Sequence, residues 1–528
     1  MNSSFDVCVI GSGFGGGVAA LRSTETGASV VVLEQGTRWD GRAGSSTFQQ
    51  TQGDLGYLTD ILSLTAGYDL DRSQASIVVG GRGLGGGSLV YSMVSLRAPS
   101  FVFDDPAWPT EVTRAELDPF YGRAEEQLGV TQIQWTGSHP EDDFRMASKR
   151  DAAFALACEN AGVSCDPVPV AINDQCGNLG WCTTGCIRHG KNSVDLRYLQ
   201  PAEDLGAELR TGIRVVAVEA GTSVATGGRR WRVLHKPAAD QFADLVPTTN
   251  LSVIEADTVV LAAGAVGSPN ILLSSAPNLR GGISGQVGRN LSRSGDMLIP
   301  VVLPDSFDLD GLEMMPGKII GSCSFQYLFE PPPGFGPNWQ RFIIQPMMVL
   351  PALSAMLVAD PDGVTPEGGD MRQFGVGQKH LMEKWGSRLL HLGIMGVDGM
   401  DGIVYSTAGV PTVSFNNSPA TNALFEGARA AARHIIETGN GGKVLPTWDQ
   451  LHGDNFTIHP LGSCRMASGH EQGGIDPQCR VYRADGTVHD GLYVMDASAI
   501  SSPIAVNTSL TTAAIAERAM ALMPAMAG

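Results

Sequence analysis

The feature that most constrains this chain lies in its first 34 residues. An apolar run with β-branched residues, FDVCVI at positions 5–10, leads into GSGFGGG. AALRSTETGA follows with helical character, and then SVVVLE. Strand, glycine turn, helix and strand within about 30 residues is the pattern of a βαβ unit. Gly11, Gly13 and Gly16 stand in G-x-G-x-x-G spacing. The first glycine allows the tight turn after the strand. The second lets the backbone approach a pyrophosphate, and the third lets the helix pack closely on the sheet. The unpaired amides at that helix N-terminus suit an anion. Glu34 closes the second strand, 23 residues after Gly11. A carboxylate there accepts both hydroxyls of an adenosine ribose and disfavours a 2′-phosphate, so the pattern favours FAD or NAD over NADP.

The rest of the chain bounds the partners. Its 528 residues, 43% of them apolar, support a sizeable core without disulfide staples. With 36 basic against 54 acidic residues the formal net charge is −18. That balance argues against a nucleic-acid-binding face and against a polybasic patch for anionic lipid. The nine cysteines are an odd count, which argues against a disulfide scaffold. Glycine reaches 66 residues without a Gly-X-Y period, so the excess belongs in tight turns and phosphate-cradling loops. A strand starting at Phe5 leaves no room for a signal peptide, and the expectation is a cytoplasmic protein. The apolar run from Phe342 to Ala359 is interrupted by Gln345, Pro346, Pro351 and Ser354. It reads as a buried strand and cavity wall, not a membrane span, leaving at most transient membrane contact.

Other segments carry weaker signals. A second glycine-dense stretch, VVGGRGLGGGSLVYS, covers 78–92, and DTVVLAAGA at 257–265 is strand-like. The terminal NTSLTTAAIAERAMALM reads as a helix from about Thr508, its start capped by Ser or Thr. Cys176, Cys182 and Cys186, with His189 close behind, have C-x5-C-x3-C spacing. This matches neither a paired C-x2-C zinc pattern nor a tight iron–sulfur run, so a packed structural loop and no metal are expected. SHPEDDFR at 138–145 reads as solvated surface, and His391 in LLHLGIMG as a core or cavity-wall residue. Met347, Met348, Met356 and Met382 suit an adaptable apolar pocket. Histidine is suited to move a hydroxyl proton near neutral pH, and HPLGSC holds His459 in a constrained proline–glycine loop. Asn507 precedes the terminal helix, as a cap or as a donor to a developing negative charge.

Four blocks in order carry a family resemblance: GGRGLGGGSLVYS, AAGAVGSPNILLSSA from Ala262, IHPLGSCRM around His459, and DGLYVMDASAISSPIAVNTSLTTAAIAERAM. Together with the N-terminal unit they resemble the glucose–methanol–choline (GMC) flavoprotein oxidoreductases from residue 5 to residue 520. HPLG, the Val506–Asn507 pair and GGGSLV most resemble bacterial cholesterol oxidases of the non-covalent type.

The resemblance implies an α/β fold. A discontinuous, Rossmann-like FAD-binding domain (1–45, 75–110, 190–300 and 450–528) carries an inserted substrate-binding domain (46–74, 111–189 and 301–449) with a mixed or antiparallel sheet. It also implies FAD-dependent oxidation of a secondary alcohol to a ketone by hydride transfer to the flavin N5. The 3β-hydroxyl of a sterol is the leading substrate, with oxygen or another acceptor reoxidising the flavin. Alternatives are another lipophilic or aromatic alcohol or a sugar, or the family's non-redox lyase and decarboxylase chemistry.

His459 takes the place of the catalytic histidine, with Asn507 assisting. Gly85, Gly86 and Ser88 would touch the flavin ring or pyrophosphate, Asp496 the ribityl or pyrophosphate region, and the Val216 backbone the adenine. The helix start at Thr508 and Ser509 would face the flavin N1/O2 edge, favouring the anionic reduced form. The second glycine loop holds no histidine, so FAD would be non-covalent. Glu330, in FQYLFEPPPGFGP, is the carboxylate nearest to where the resemblance would place an isomerising base.

Overall fold

The computed structural model describes residues 3–42, 44–48, 62–69, 74–134, 147–221, 228–238, 251–307, 317–349, 354, 358, 375–452 and 455–524. Met356 and the SHPEDDFR segment lie outside them.

In chain order the elements that position the site are β1 (Ser4–Ile10), α1 (Phe14–Glu25), β2 (Val30–Leu33), β3 (Leu62–Asp69), β4 (Gln74–Gly81), α2 (Arg114–Leu128) and α3 (Lys149–Asn160). Next come β5 (Glu208–Arg210), β6 (Ile213–Ala220), β7 (Trp231–Pro237), β8 (Ser252–Leu261) and α4 (Gly264–Ser275). Then β9 (Met297–Val302), β10 (Phe342–Met347), β11 (Leu389–Gly396), α5 (Pro419–Arg433) and β12 (Lys443–Val444) follow. The last are β13 (Asn455–Thr457), β14 (Arg480–Tyr482), β15 (Val488–Val494) and α6 (Ser509–Leu522).

Two sheets organise them. The larger has the path β14–β15–β8–β1–β2–β5, with β7 bridging β8 to β6. Its centre is parallel: β1 lies between β8 and β2, and β15 adds to β8. The parallel strands are continuous apolar runs because both faces are covered; Val30–Leu33 is buried throughout. The smaller sheet, β10–β11–β9–β12, is wholly antiparallel. This is an α/β fold in which the ends of the chain meet in the first sheet and the middle supplies the second.

Two apolar cores correspond to these sheets. One packs β1, β2 and β8 against α1 and α6. The other packs Met297, Ile299, Val301, Ile344, Leu390, Leu392 and Ile394 against α3 and α5. In both sheets side chains alternate between faces. Leu298, Pro300, Ile343, Gln345, Met347, His391 and Met395 therefore occupy the face turned away from α3 and α5.

α6 is buried all around from Leu510 to Ala519, as expected for a helix enclosed by the core. The buried Glu517 on it receives Arg22 from α1 at 2.8 Å. The expected Ser or Thr cap is corrected here. Thr508 holds the N-cap position, but no side chain caps the helix. Its backbone carbonyl is instead used by the Thr512 amide and hydroxyl. Among the described residues no helix is long and apolar enough to cross a membrane.

Candidate active site

The first glycine turn is built by close approach. Gly11 has φ +95°, and a Cβ there would stand 2.3 Å from the Ala262 carbonyl oxygen. A Cβ on Gly16 would stand 2.1 Å from the Gly11 carbonyl oxygen, and on Gly15 only 1.3 Å from that of Met495. Gly13 differs: it is the N-cap of α1, no side chain caps it, and a Cβ there would meet nothing within 4 Å. The loop is crowded on its protein side and open where a phosphate would lie.

The second glycine loop is pressed against the first. A Cβ on Gly86 would stand 2.8 Å from the Gly13 Cα. Ser12, unremarked in the sequence, fastens three pieces together. Its hydroxyl donates to Glu34 Oε2 at 2.6 Å and accepts the Gly85 amide at 3.0 Å. Glu34 also accepts from the Gly36 amide at 2.8 Å. Burial raises the Glu34 pKa, and these hydrogen bonds oppose the rise. Ser88 works inside its loop, donating to the Gly85 carbonyl at 2.7 Å and accepting the Val194 amide at 2.9 Å.

Asp496 is buried and its carboxylate is saturated from within. It accepts from the Gly264 amide at 2.9 Å, the Ser498 amide at 2.8 Å, and the hydroxyls of Ser268 and Ser498. Val216 is the extra residue of a bulge on β6, skipped between the pairs Leu234↔Ala217 and His235↔Val215. Ser509 opens α6, its hydroxyl 3.3 Å from the Val94 carbonyl. Two helix starts without side-chain caps, α1 and α6, with open space over Gly13, fit a dinucleotide carrying a pyrophosphate and an electron-poor ring. Of the glycines in the two turns, Gly13 presents its backbone to that space, whereas the Gly11, Gly85 and Gly86 amides donate within the protein, to Leu33, Ser12 and Gly83.

His459 follows β13, which pairs in parallel with β4, the strand leading into the second glycine loop. Downstream, the Cys464 and Met466 amides donate to Ser498 and Ala499, on the segment leading to Asn507. The histidine is held by Asp296, which the sequence reading passed over. The Asp296 carboxylate accepts from His459 Nδ1 at 2.8 Å, the His459 amide at 2.9 Å, the Ile458 amide at 2.8 Å and the Thr457 hydroxyl at 2.7 Å. Burial alone would lower the His459 pKa; the charge and hydrogen bond of Asp296 outweigh it and hold the value above the ordinary one. The ring retains 22% of its side-chain exposure, so its free edge is reachable.

Asn507 is buried, and its Oδ1 accepts from Gln345 Nε2 at 3.2 Å. Asp296 immediately precedes β9, and Gln345 lies on β10, two strands across. At ~4.8 Å per strand the two anchors are about 10 Å apart across the sheet. Asp296 stands just ahead of β9, and alternation puts Gln345 on the face turned away from α3 and α5. His391 shares it, buried, its Nε2 3.2 Å from the Ser354 hydroxyl; burial pushes its pKa down to about 3, so it is neutral.

Glu330 is not brought to this cluster. It is exposed just after a short helical turn and accepts from the Gln326 side-chain Nε2 at 3.0 Å. The three-cysteine loop is packed: Cys176, Cys182 and Cys186 line a cavity of about 20 Å³, on the scale of one water. Lys191 closes it, donating to the Leu89 and Cys182 carbonyls. Among the described residues no group of three or more His, Cys, Asp or Glu could hold a metal ion.

The family model described as GMC oxidoreductase matches residues 7–294, and a second model of that description matches 407–516. The chain belongs to the GMC oxidoreductase family. It is therefore an FAD-dependent oxidoreductase acting on CH–OH groups.

Among its relatives is a cholesterol oxidase of Acinetobacter baumannii, 25% identical across 99% of this chain and 95% of the relative. The cholesterol oxidase of Mycobacterium tuberculosis (strain ATCC 25618 / H37Rv) is 27% identical across 99% and 92%. A long-chain-alcohol oxidase of Arabidopsis thaliana is 23% identical, over 96% of this chain and 66% of its own length. Among solved structures, Aspergillus oryzae RIB40 formate oxidase superposes with a TM-score of 0.66 at 16% identity, covering 98% of both chains. A fungal aryl-alcohol oxidase gives 0.63 at 15%, covering 99% of both. This GMC fold accounts for the two sheets.

Proposed function

We propose that this GMC oxidoreductase oxidises the secondary alcohol of a lipophilic substrate, foremost the 3β-hydroxyl of a sterol, to a ketone. One observation carries the reading. A histidine held by Asp296 and a buried carboxamide held by Gln345 are anchored at the same largely apolar antiparallel sheet, one just ahead of β9 and the other on β10. Likeness to cholesterol oxidases over nearly the whole chain supports the same substrate class.

The geometry supports the following roles. His459 Nδ1 donates to Asp296, which leaves Nε2 as the acceptor of the substrate's hydroxyl proton. The Asn507 amide donates to the substrate oxygen as negative charge develops there. When bound, FAD supplies the acceptor for the carbinol hydride. The uncapped start of α6, at Thr508 and Ser509, offers its positive dipole end to an anionic ring. The apolar face excludes water and holds the hydrocarbon body. Exposed Glu330 has no part in this scheme.

Anaerobic mixing with a panel of sterols, long-chain alcohols, aryl alcohols and sugars tests the reading. The flavin band is expected to bleach fastest with sterols. Unchanged absorbance across the panel would overturn alcohol oxidation, and preference for sugars would overturn the lipophilic assignment. FAD is proposed to be dissociable, because the second glycine loop offers no histidine for a covalent link. Acid precipitation is expected to leave the yellow colour in the supernatant; colour retained in the pellet would contradict it.

A further inference from the structure

Gln345 is the one polar side chain on β10, between Phe342, Ile343, Ile344 and Met347. It is fully enclosed. Burying a carboxamide with part of its hydrogen bonding unmet is costly, so an isolated glutamine in such a strand needs a reason. Its Nε2 donates to Asn507 Oδ1, while its own Oε1 is buried with no partner among the described residues. Its cross-strand neighbour is Gly393, which contributes no side chain to crowd it.

We propose that Gln345 is the positioning residue for Asn507: its amide fixes which end of the Asn507 carboxamide faces the substrate. This rests on the alcohol-oxidation reading and deepens it. A primary amide is nearly symmetrical in shape, and its two ends differ only in hydrogen-bonding sense. With Oδ1 committed to Gln345, Asn507 turns its N–H groups the other way. A donor is what a developing alkoxide needs; a flipped amide would set oxygen against oxygen. Asn507 lies on the segment before α6, and Gln345 on the second sheet. The bond therefore also locks the sheet face to the ring side of the site.

The test uses the holoenzyme of two variants, Gln345→Met and Gln345→Glu. The Met variant keeps the volume and cannot donate. The Glu variant donates to Asn507 only while protonated, and when ionised it only accepts. The titratable groups around position 345 are Cys323, His391, and the His459–Asp296 pair across β11. Burial holds the Cys323 thiol well above its ordinary range and His391 well below it, so neither titrates in the working interval.

Flavin reduction is measured against pH, and the Kd of a 3-ketosteroid is read from the flavin absorbance, which needs no turnover. Gln345→Met is expected to slow reduction and weaken ketone binding by about tenfold or more at every pH. Gln345→Glu is expected to match the parent at low pH and to fall to the Met level as the new carboxyl ionises. Its ketone Kd should follow the same titration.

Parent-like rates and Kd in Gln345→Met would overturn the assignment. So would a Gln345→Glu profile parallel to the parent, or one that improves as pH rises. Because ketone binding is read separately, a protein that binds ketone through Gln345 yet is reduced by no alcohol would sink the oxidation reading alone. A parent that binds no 3-ketosteroid would overturn both.

Discussion

Replacing His459 with alanine is expected to lower the rate of anaerobic flavin reduction by about 10²-fold or more, the scale of a lost general base. Asp296→Asn is expected to cost a similar factor by a different route. The Asp296 carboxylate receives the Nδ1 proton and three further donors, so it fixes both the tautomer and the ring. It also holds the His459 pKa above its ordinary value against the pull of burial. The base acts when neutral, so the parent rate falls as pH drops through that raised value. Without the charge only the burial effect remains, and the acid limb should move to lower pH. Stopped-flow reduction across pH checks both. An Asp296→Asn limb at the parent position would mean the carboxylate does not set the histidine's proton affinity.

Two neighbouring glycines are expected to fail in opposite ways. Gly15→Ala sets a methyl 1.3 Å from the Met495 carbonyl oxygen, against backbone that cannot yield. The strain should reach about 4 kcal/mol or more, with loss of soluble folded protein. Gly13→Ala meets nothing within 4 Å, and its φ of −69° with extended ψ is open to alanine. The fold should lose no more than about 1 kcal/mol. The methyl would enter the open space proposed to take the pyrophosphate, so FAD affinity should fall by about tenfold or more. Apoprotein melting and FAD titration separate the cases. Equal FAD affinity in Gly13→Ala would displace the phosphate from that turn.

The N-terminal unit was legible because each local rule agreed with the next: β-branched strand, glycine spacing, helix, and acid at the second strand's end. α6 was legible for the same reason, apart from its cap. Thr508 has the right residue type at the right position, but its side chain makes no capping bond. Asp296 escaped notice because its meaning is non-local. It is one acid ahead of MLIPVV, and its partner lies 163 residues away. Gln345 was visible only as a break in an apolar run, since strand pairing had to be known before its face could be assigned. Glu330 shows the reverse: a carboxylate in a suggestive loop that the fold leaves in solvent.

The pair of Arg22 and the buried Glu517 joins helices separated by almost the whole polypeptide, and β15 completes the sheet begun by β1. A ribosome emitting roughly 5–20 residues per second would expose the nucleotide cradle's opening half well before its closing half. Colour should therefore arise only once the last helix has emerged, and chains cut short ahead of it should stay colourless however well their beginnings fold.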